Sequence, residues 1–175
     1  MNTVKILLHM LEAAGKYDRI YDIALDDTYD SSTRTQAIEM VLKNMNLANS
    51  AIHNLINLNN SLHISTNNIF HVKNNKCFLN EVIRDIKEFR RRNDDYTAEL
   101  AESFLQYIDN NEFDVYKGKM VAVFRFNSSP IYFVSDSYSN AINIAIKLSK
   151  NRFYYIRDIP QTISDPGPVV VLSNR

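Results

Sequence analysis

The hydrophobic period of this chain changes once, and that change constrains the fold more than any other feature. Up to about residue 110, apolar residues recur every three or four positions, the spacing of one helix face. From Met120 to Phe126, "MVAVFRF", they alternate, the spacing of a strand with two distinct faces. A chain with this order builds helices first and a small sheet second. The expected class is α+β, with a helical N-terminal region packed on a C-terminal sheet module.

Val4, Leu7, Leu8 and Leu11 predict a helix over about 3–14, with Gly15 as its end. Tyr17, Ile20, Tyr21 and Ala24 carry the same period to about Leu25. Thr33, with Gln36 three residues on, has the form of a capping box. Behind it, Ile38, Val41, Leu42, Met45, Ile52, Leu55 and Ile56 predict one long helix to about Leu58, where "NLNNS" stops it. Residues 62–77 fit a short hairpin around "STNN" or an irregular connection, and the hairpin is preferred. Leu79, Val82, Ile83, Ile86 and Phe89 mark a third helix; Leu100, Ala101, Phe104, Leu105 and Ile108 mark a fourth. Asp94 or Asp95 can cap the fourth, although the spacing also runs on through Tyr96 as one helix over about 78–110. About four helices therefore fill residues 1–111.

Residues 112–160 read as a β-β-α-β module. After Met120–Phe126 come the turn "NSSP" and a second strand at Ile131–Val134, antiparallel to the first. Ser135, Asp136 and Ser137 offer N-cap oxygens to the helix "YSNAINIAIKLSKN". That helix is apolar on several sides, so it is expected between the sheet and the N-terminal helices. Phe153–Ile159 is the third strand, closed by Pro160, and the strand–helix–strand crossover is expected to be right-handed. The remainder, 161–175, contains the β-branched run Val169, Val170 and Val171 followed by Leu172. It reads as an extended arm that adds a strand to a sheet, in this subunit or a neighbouring one.

Tyr116, Gly118, Lys119, Val121 and Ala122 spell a Y-x-G-K-x-V-A opening, followed by a "DS" cap at Asp136–Ser137, an Ala-containing helix and a strand ending in Pro160. On these residues, 113–160 resembles a small uncharacterised domain of archaea and some bacteria. The resemblance implies a β-β-α-β layout and no established activity. "FNSSP" stands where that domain usually carries a glycine-containing turn.

Composition narrows the function classes. Lys and Arg together number 20, as do Asp and Glu, so no global field draws the chain to nucleic acid or acidic membranes. Three glycines are too few for phosphate-cradling loops or an all-β fold with many tight turns. One cysteine, Cys77, excludes an internal disulfide. The apolar run at 3–14 is too short and too amphipathic for a signal peptide, and no run reaches transmembrane length. A cytoplasmic location, or more broadly a host cell or virion, is expected, with no membrane partner.

No catalytic set, metal ligands or cofactor motif is expected. The pairs Asp26–Asp27 and Asp94–Asp95 point apart and read as loop and cap residues. His63 and His71 can face each other across the suspected hairpin, and Cys77 lies near His71, but neither pair has a supporting motif. The module 113–160 does carry seven cations against three anions, together with many aromatics. Lys117, Lys119, Arg125, Arg152, Tyr154 and Arg157, with Arg90, Arg91 and Arg92, are candidate contacts for single-stranded nucleic acid if one sheet face is open. If helices cover both faces, the same rings are core. The expected function is a non-enzymatic interaction or assembly protein, a homo-oligomer associating through Val169, Val170, Val171 and Leu172 of the arm. The alternative is a regulatory nucleic-acid-binding protein.

Overall fold

The computed structural model describes residues 2–44, 46–63, 76–109, 116, 118–149 and 153–160. It is an α+β protein: α1 (Thr3–Ala13), α2 (Tyr17–Leu25), α3 (Ser31–Asn44), α4 (Asn49–Leu62), α5 (Lys76–Arg91), α6 (Asp95–Asp109), β1 (Met120–Phe126), β2 (Ser129–Ser135), α7 (Tyr138–Leu148) and β3 (Tyr155–Asp158). The chain forms two compact units, Met1–His63 and Ile64–Arg175. The change of period near residue 115 marks a change of local structure. The unit boundary falls earlier, because α5 and α6 pack on the sheet.

The first unit holds α1–α4. Asn2 caps α1, its Oδ1 accepting from the Val4 amide at 3.1 Å. Gly15, at φ +69°, ends it in a left-handed turn, in which the Gly15 amide donates to the Glu12 carbonyl and the Lys16 amide to the Leu11 carbonyl. The expected capping box at Thr33 and Gln36 is displaced. Asp30 caps α3 instead, accepting from the Thr33 amide at 2.8 Å, and Thr33 is buried inside the first turn. The carboxylate is the stronger acceptor at a helix start.

The long helix expected from 33 to 58 is two helices. Ala48, the N-cap of α4, is extended at ψ 149°. The break falls between Asn44 and Asn49; Asn44 Nδ2 donates to the Met40 carbonyl at 2.9 Å, a side-chain bond that competes for a backbone group at the helix end. "NLNNS" does not stop α4, which runs on to Leu62. Asn59 is fully buried there, so tertiary packing overrides its low helix propensity. Leu62 is therefore helical rather than part of a strand, and the rest of the suspected hairpin lies outside the described residues.

The second unit begins with the α5–α6 hairpin, which settles the alternative of one helix over 78–110. Asn93, at φ +59°, breaks it with the same bond pattern as Gly15: the Asn93 amide donates to the Arg90 carbonyl and the Asp94 amide to the Phe89 carbonyl. Asp94 then caps α6, accepting from the Thr97 amide at 3.1 Å. Phe78, Val82 and Ile86 of α5 meet Ala98, Ala101 and Phe104 of α6 in one apolar cluster.

The sheet has the order β2-β1-β3, with β1 antiparallel to both neighbours. β2 and β3 are therefore parallel to each other with β1 between them, as a β2–α7–β3 crossover requires. Along β1, Val121 and Val123 join the α5–α6 cluster with Val134 and Tyr155. Ala122, Phe124 and Phe126 alternate to the other face, where Phe133 and Ile131 are their register partners or neighbours. There α7 packs on β1 and β2 and buries Ala141, Ile144, Ala145 and Leu148. Both faces are thus covered by helices of this unit. Each wholly buried Phe, such as Phe124 or Phe133, contributes about 1.5–3 kcal/mol relative to exposure.

Two residues, Asn127 and Ser128, join β1 to β2, with φ +52° and +67°. Positive φ at both central positions is the type I′ hairpin turn, whose twist matches the flanking strands. Ser129 and Pro130, expected in the turn, pair with Phe126 and Arg125 as strand residues. Ser128 carries the left-handed strain that glycine avoids. Ser128→Gly is expected to raise unfolding stability by about 1 kcal/mol, checked by urea denaturation with an unchanged slope.

Candidate interaction surfaces

The candidate basic residues are placed by regular structure, and each described one faces a carboxylate. Lys119, just before β1, pairs with Asp136, just after β2. Arg125 Nη2 lies 2.8 Å from Glu99 of α6, with its guanidinium 5.3 Å from the centre of the Tyr96 ring. Arg157 of β3 pairs with Glu81 and lies 3.6 Å from Asp85, both on α5. Arg90 pairs with Glu102 and lies 3.7 Å from Asp95; Arg91 and Arg92 both engage Glu88. Hydrogen bonding from Arg91 is the main reason the Glu88 carboxyl falls from 4.5 to about 2. Tyr154 is half-buried. Lys117, Arg152 and Val169–Leu172 lie outside the described residues. Of the described candidate cations, Arg125 and Arg157 bridge a strand to a helix, Lys119 joins the ends of β1 and β2, Arg90 joins α5 to α6, and Arg91 and Arg92 bond within α5.

The rings are packed in the same way. Tyr155 sits edge-on to Phe89 at 6.1 Å and tilted on Phe104 at 5.7 Å. Its hydroxyl donates to Asp85 Oδ2 at 2.6 Å. Tyr132 stacks on Tyr107 at 4.3 Å and donates to the Ser103 carbonyl at 3.0 Å. Phe153 and Tyr138 are the exceptions, 43% and 53% exposed, with Phe153 beside Tyr96.

Burial, followed by the Asp85 carboxylate it bonds, pushes the Tyr155 phenol well above its ordinary value of 10. The neutral phenol is the form the fold holds, so its contribution is fully present below pH 10. It is lost as the pH rises above that value, because the unfolded chain ionises first. Melting temperature is expected to fall steeply above pH 10 in the native protein and less steeply in Tyr155→Phe. Equal slopes in a series of melts at rising pH would remove this account.

The polar groups noted in the sequence have local tasks. Asp26 accepts from the Thr28 amide and hydroxyl at 2.9 and 2.7 Å. Ser137 caps α7, accepting from the Asn140 amide at 3.4 Å, and its own amide donates to Ser135 Oγ at 3.1 Å. His63 is buried at the C-terminus of α4. His71 is outside the described residues, and the side chain of Cys77 is not described. Among the described residues, no three His, Cys, Asp or Glu side chains form a group able to hold a metal, and no helix is long and apolar enough to cross a membrane.

The chain matches no family model, no curated protein and no solved structure. The likeness of residues 113–160 to the Y-x-G-K-x-V-A domain rests on those residues alone, and the structure gives each an architectural task. Tyr116 is buried and stacks on Tyr107. Gly118, at φ +74°, turns the chain into β1 while its amide donates to the Ile159 carbonyl at 2.8 Å. Lys119 reaches the Asp of the "DS" pair, and the Ser of that pair caps α7. Val121 and Ala122 enter opposite faces of the sheet.

Two surfaces remain open among the described residues. The sheet has outer edges on β2 and β3 with no further strand beside them. In the first unit, α1 and α2 border a groove of about 590 Å³, lined by Leu7, Leu11 and Ile23 with Lys16, Asp18, Arg19, Asp22, Asp26 and Tyr29. Ile6, Leu7 and Met10 on α1 and Leu25 on α2 are all at least 41% exposed. Motif reasoning passed over this surface. Its signal is the width of the apolar stripe on α1, where Ile6, Leu7, Leu8, Met10 and Leu11 exceed what one buried face accommodates.

Proposed function

We propose that this chain is a non-enzymatic interaction and assembly protein that associates with copies of itself, in the cell interior, through an arm formed by residues 161–175. The observation that carries the reading is that, among the described residues, β2 and β3 are the outer strands of the sheet. An edge strand offers a row of unpaired amides and carbonyls to any extended segment that reaches it. A run of β-branched residues such as Val169–Val171 has the propensity to fill that place. β3 is only four residues long, and β2 carries Pro130, which cannot donate to a new neighbour. β3 is therefore the better acceptor.

The nucleic-acid reading draws less support. Lys119, Arg125, Arg157 and Arg90–Arg92 are each engaged by carboxylates, which lowers the field they present to a phosphate backbone.

The arm is tested by removing residues 161–175 and weighing both proteins by light scattering. A lower mass with unchanged circular dichroism is expected for the truncated chain. An unchanged mass with the fold retained would set the arm aside.

A further inference from the structure

We infer that the outer edge of β3 takes residues 169–172 of a second copy as an added strand, bonded at the backbone of Ile156 and Asp158. This rests on the self-association reading and names the groups that accept the arm.

The ladder of the sheet identifies those groups. In an antiparallel pair, successive residues turn their amide and carbonyl alternately toward the neighbour and away from it. Ile159 fixes the phase of β3. Its amide donates to the Lys119 carbonyl at 2.9 Å, and its carbonyl accepts from the Gly118 amide at 2.8 Å. Arg157 and Tyr155, two and four residues back, therefore also turn to β1, opposite Val121 and Val123. Ile156 and Asp158 turn their backbone groups outward. The hairpin end of the sheet gives the same phase independently. Phe126 and Ser129 flank the two-residue turn and bond to each other, so on β2 it is Pro130, Tyr132 and Val134 that face out. The residues of β1 then alternate between β2 and β3 without a conflict.

The two edges differ. Pro130 stands at an outward position of β2, where it removes a donor from inside the strand. On β3 the proline comes after the strand: Pro160 is the next outward position beyond Asp158, so it ends a ladder without interrupting it. The acceptor is four residues long, the length of the apolar run Val169–Leu172. That run is apolar at every position, the pattern of a strand with both faces covered. Beside β3, one of its faces continues that of Tyr155 and Arg157, and the other continues that of the half-buried Ile156. The connection from β3 to the run carries Pro160, Pro166 and Pro168, and proline-rich linkers favour an extended course. Such a connection delivers the run to another copy's edge, an exchange of identical elements between protomers.

Residue-resolved amide hydrogen exchange on the full-length chain tests this. In the associated protein, the amides of Ile156 and Asp158 are expected to be protected. They are expected to exchange about tenfold faster or more once 161–175 is deleted. Tyr155 and Arg157, turned to β1, are expected to stay protected and so to report an intact sheet. Diluting the native chain through its dissociation is expected to loosen Ile156 and Asp158 in the same way, with no variant needed. Protection that survives dilution and is lost only on deletion would put the chain's own arm on the edge and overturn the exchange. A fall in mass on deletion, with Ile156 and Asp158 unchanged or with Tyr132 and Val134 loosened in their place, overturns the β3 edge and leaves association through the arm standing. An unchanged mass with the fold retained removes the self-association reading and this inference with it.

Discussion

Everything in the second unit depends on β1 being buried on both faces. A three-stranded sheet is marginal in water unless an apolar layer covers it. Val121 and Val123 point to the α5–α6 hairpin, while Ala122 and Phe124 point away from it, and all four are wholly buried. One helix layer cannot satisfy a strand of that kind. The unit therefore needs a helical hairpin before the sheet and a crossover helix within it. The chain order α5-α6-β1-β2-α7-β3 supplies both. The carboxylates that meet the sheet's cations follow from this layering. Glu81 and Asp85 come from α5 and Glu99 from α6, so Arg157 and Arg125 fasten strand to helix at the edge of the apolar contact.

The same geometry explains why a basic, aromatic stretch is a poor guide to a binding face. Such residues serve a nucleic-acid platform only when one face is left open. Here the rings fill both layers, and the guanidinium groups sit where their stems lie on apolar surface and their heads reach carboxylates. Arg157 lies 5.6 Å from the centre of the Phe78 ring while pairing with Glu81. At exposed sites such pairs add little to stability, about 0–1 kcal/mol each. Their effect is to lower the outward charge of the module.

The alternating strands, the α7 helix and the apolar faces of α1, α5 and α6 were legible because period and burial are properties of a short window. The breaks between helices were harder to place. Gly15 announces itself, since glycine accepts positive φ at no steric cost. Asn93 does the same work with the same two hydrogen bonds, yet asparagine is abundant here and most of its copies mark nothing of the kind. Asn44 ends a helix, Asn46 lies in the break and Asn49 begins the next, whereas Asn59 and Asn60 continue one. What distinguishes them is tertiary: Asn59 is wholly buried, and its carbonyl accepts from the His63 amide at 3.2 Å. Likewise Asp30 displaces Thr33 as a cap through the strength of a charged acceptor, a choice between neighbours that spacing does not decide.

The α1–α2 surface was missed for the same physical reason in reverse. Motif searching asks which residues could do chemistry, and here those residues serve structure. Asp94 caps, Asp136 bridges, Ser137 caps, and Asp85 takes a proton donor from a buried ring. What they leave over is an apolar surface on the first unit: Ile6, Leu7 and Met10 exposed on α1 and Leu25 on α2. Apolar side chains gathered in this way on a helix pair contribute little to the stability of the unit that exposes them, and an exposed apolar patch is the usual mark of an interaction surface.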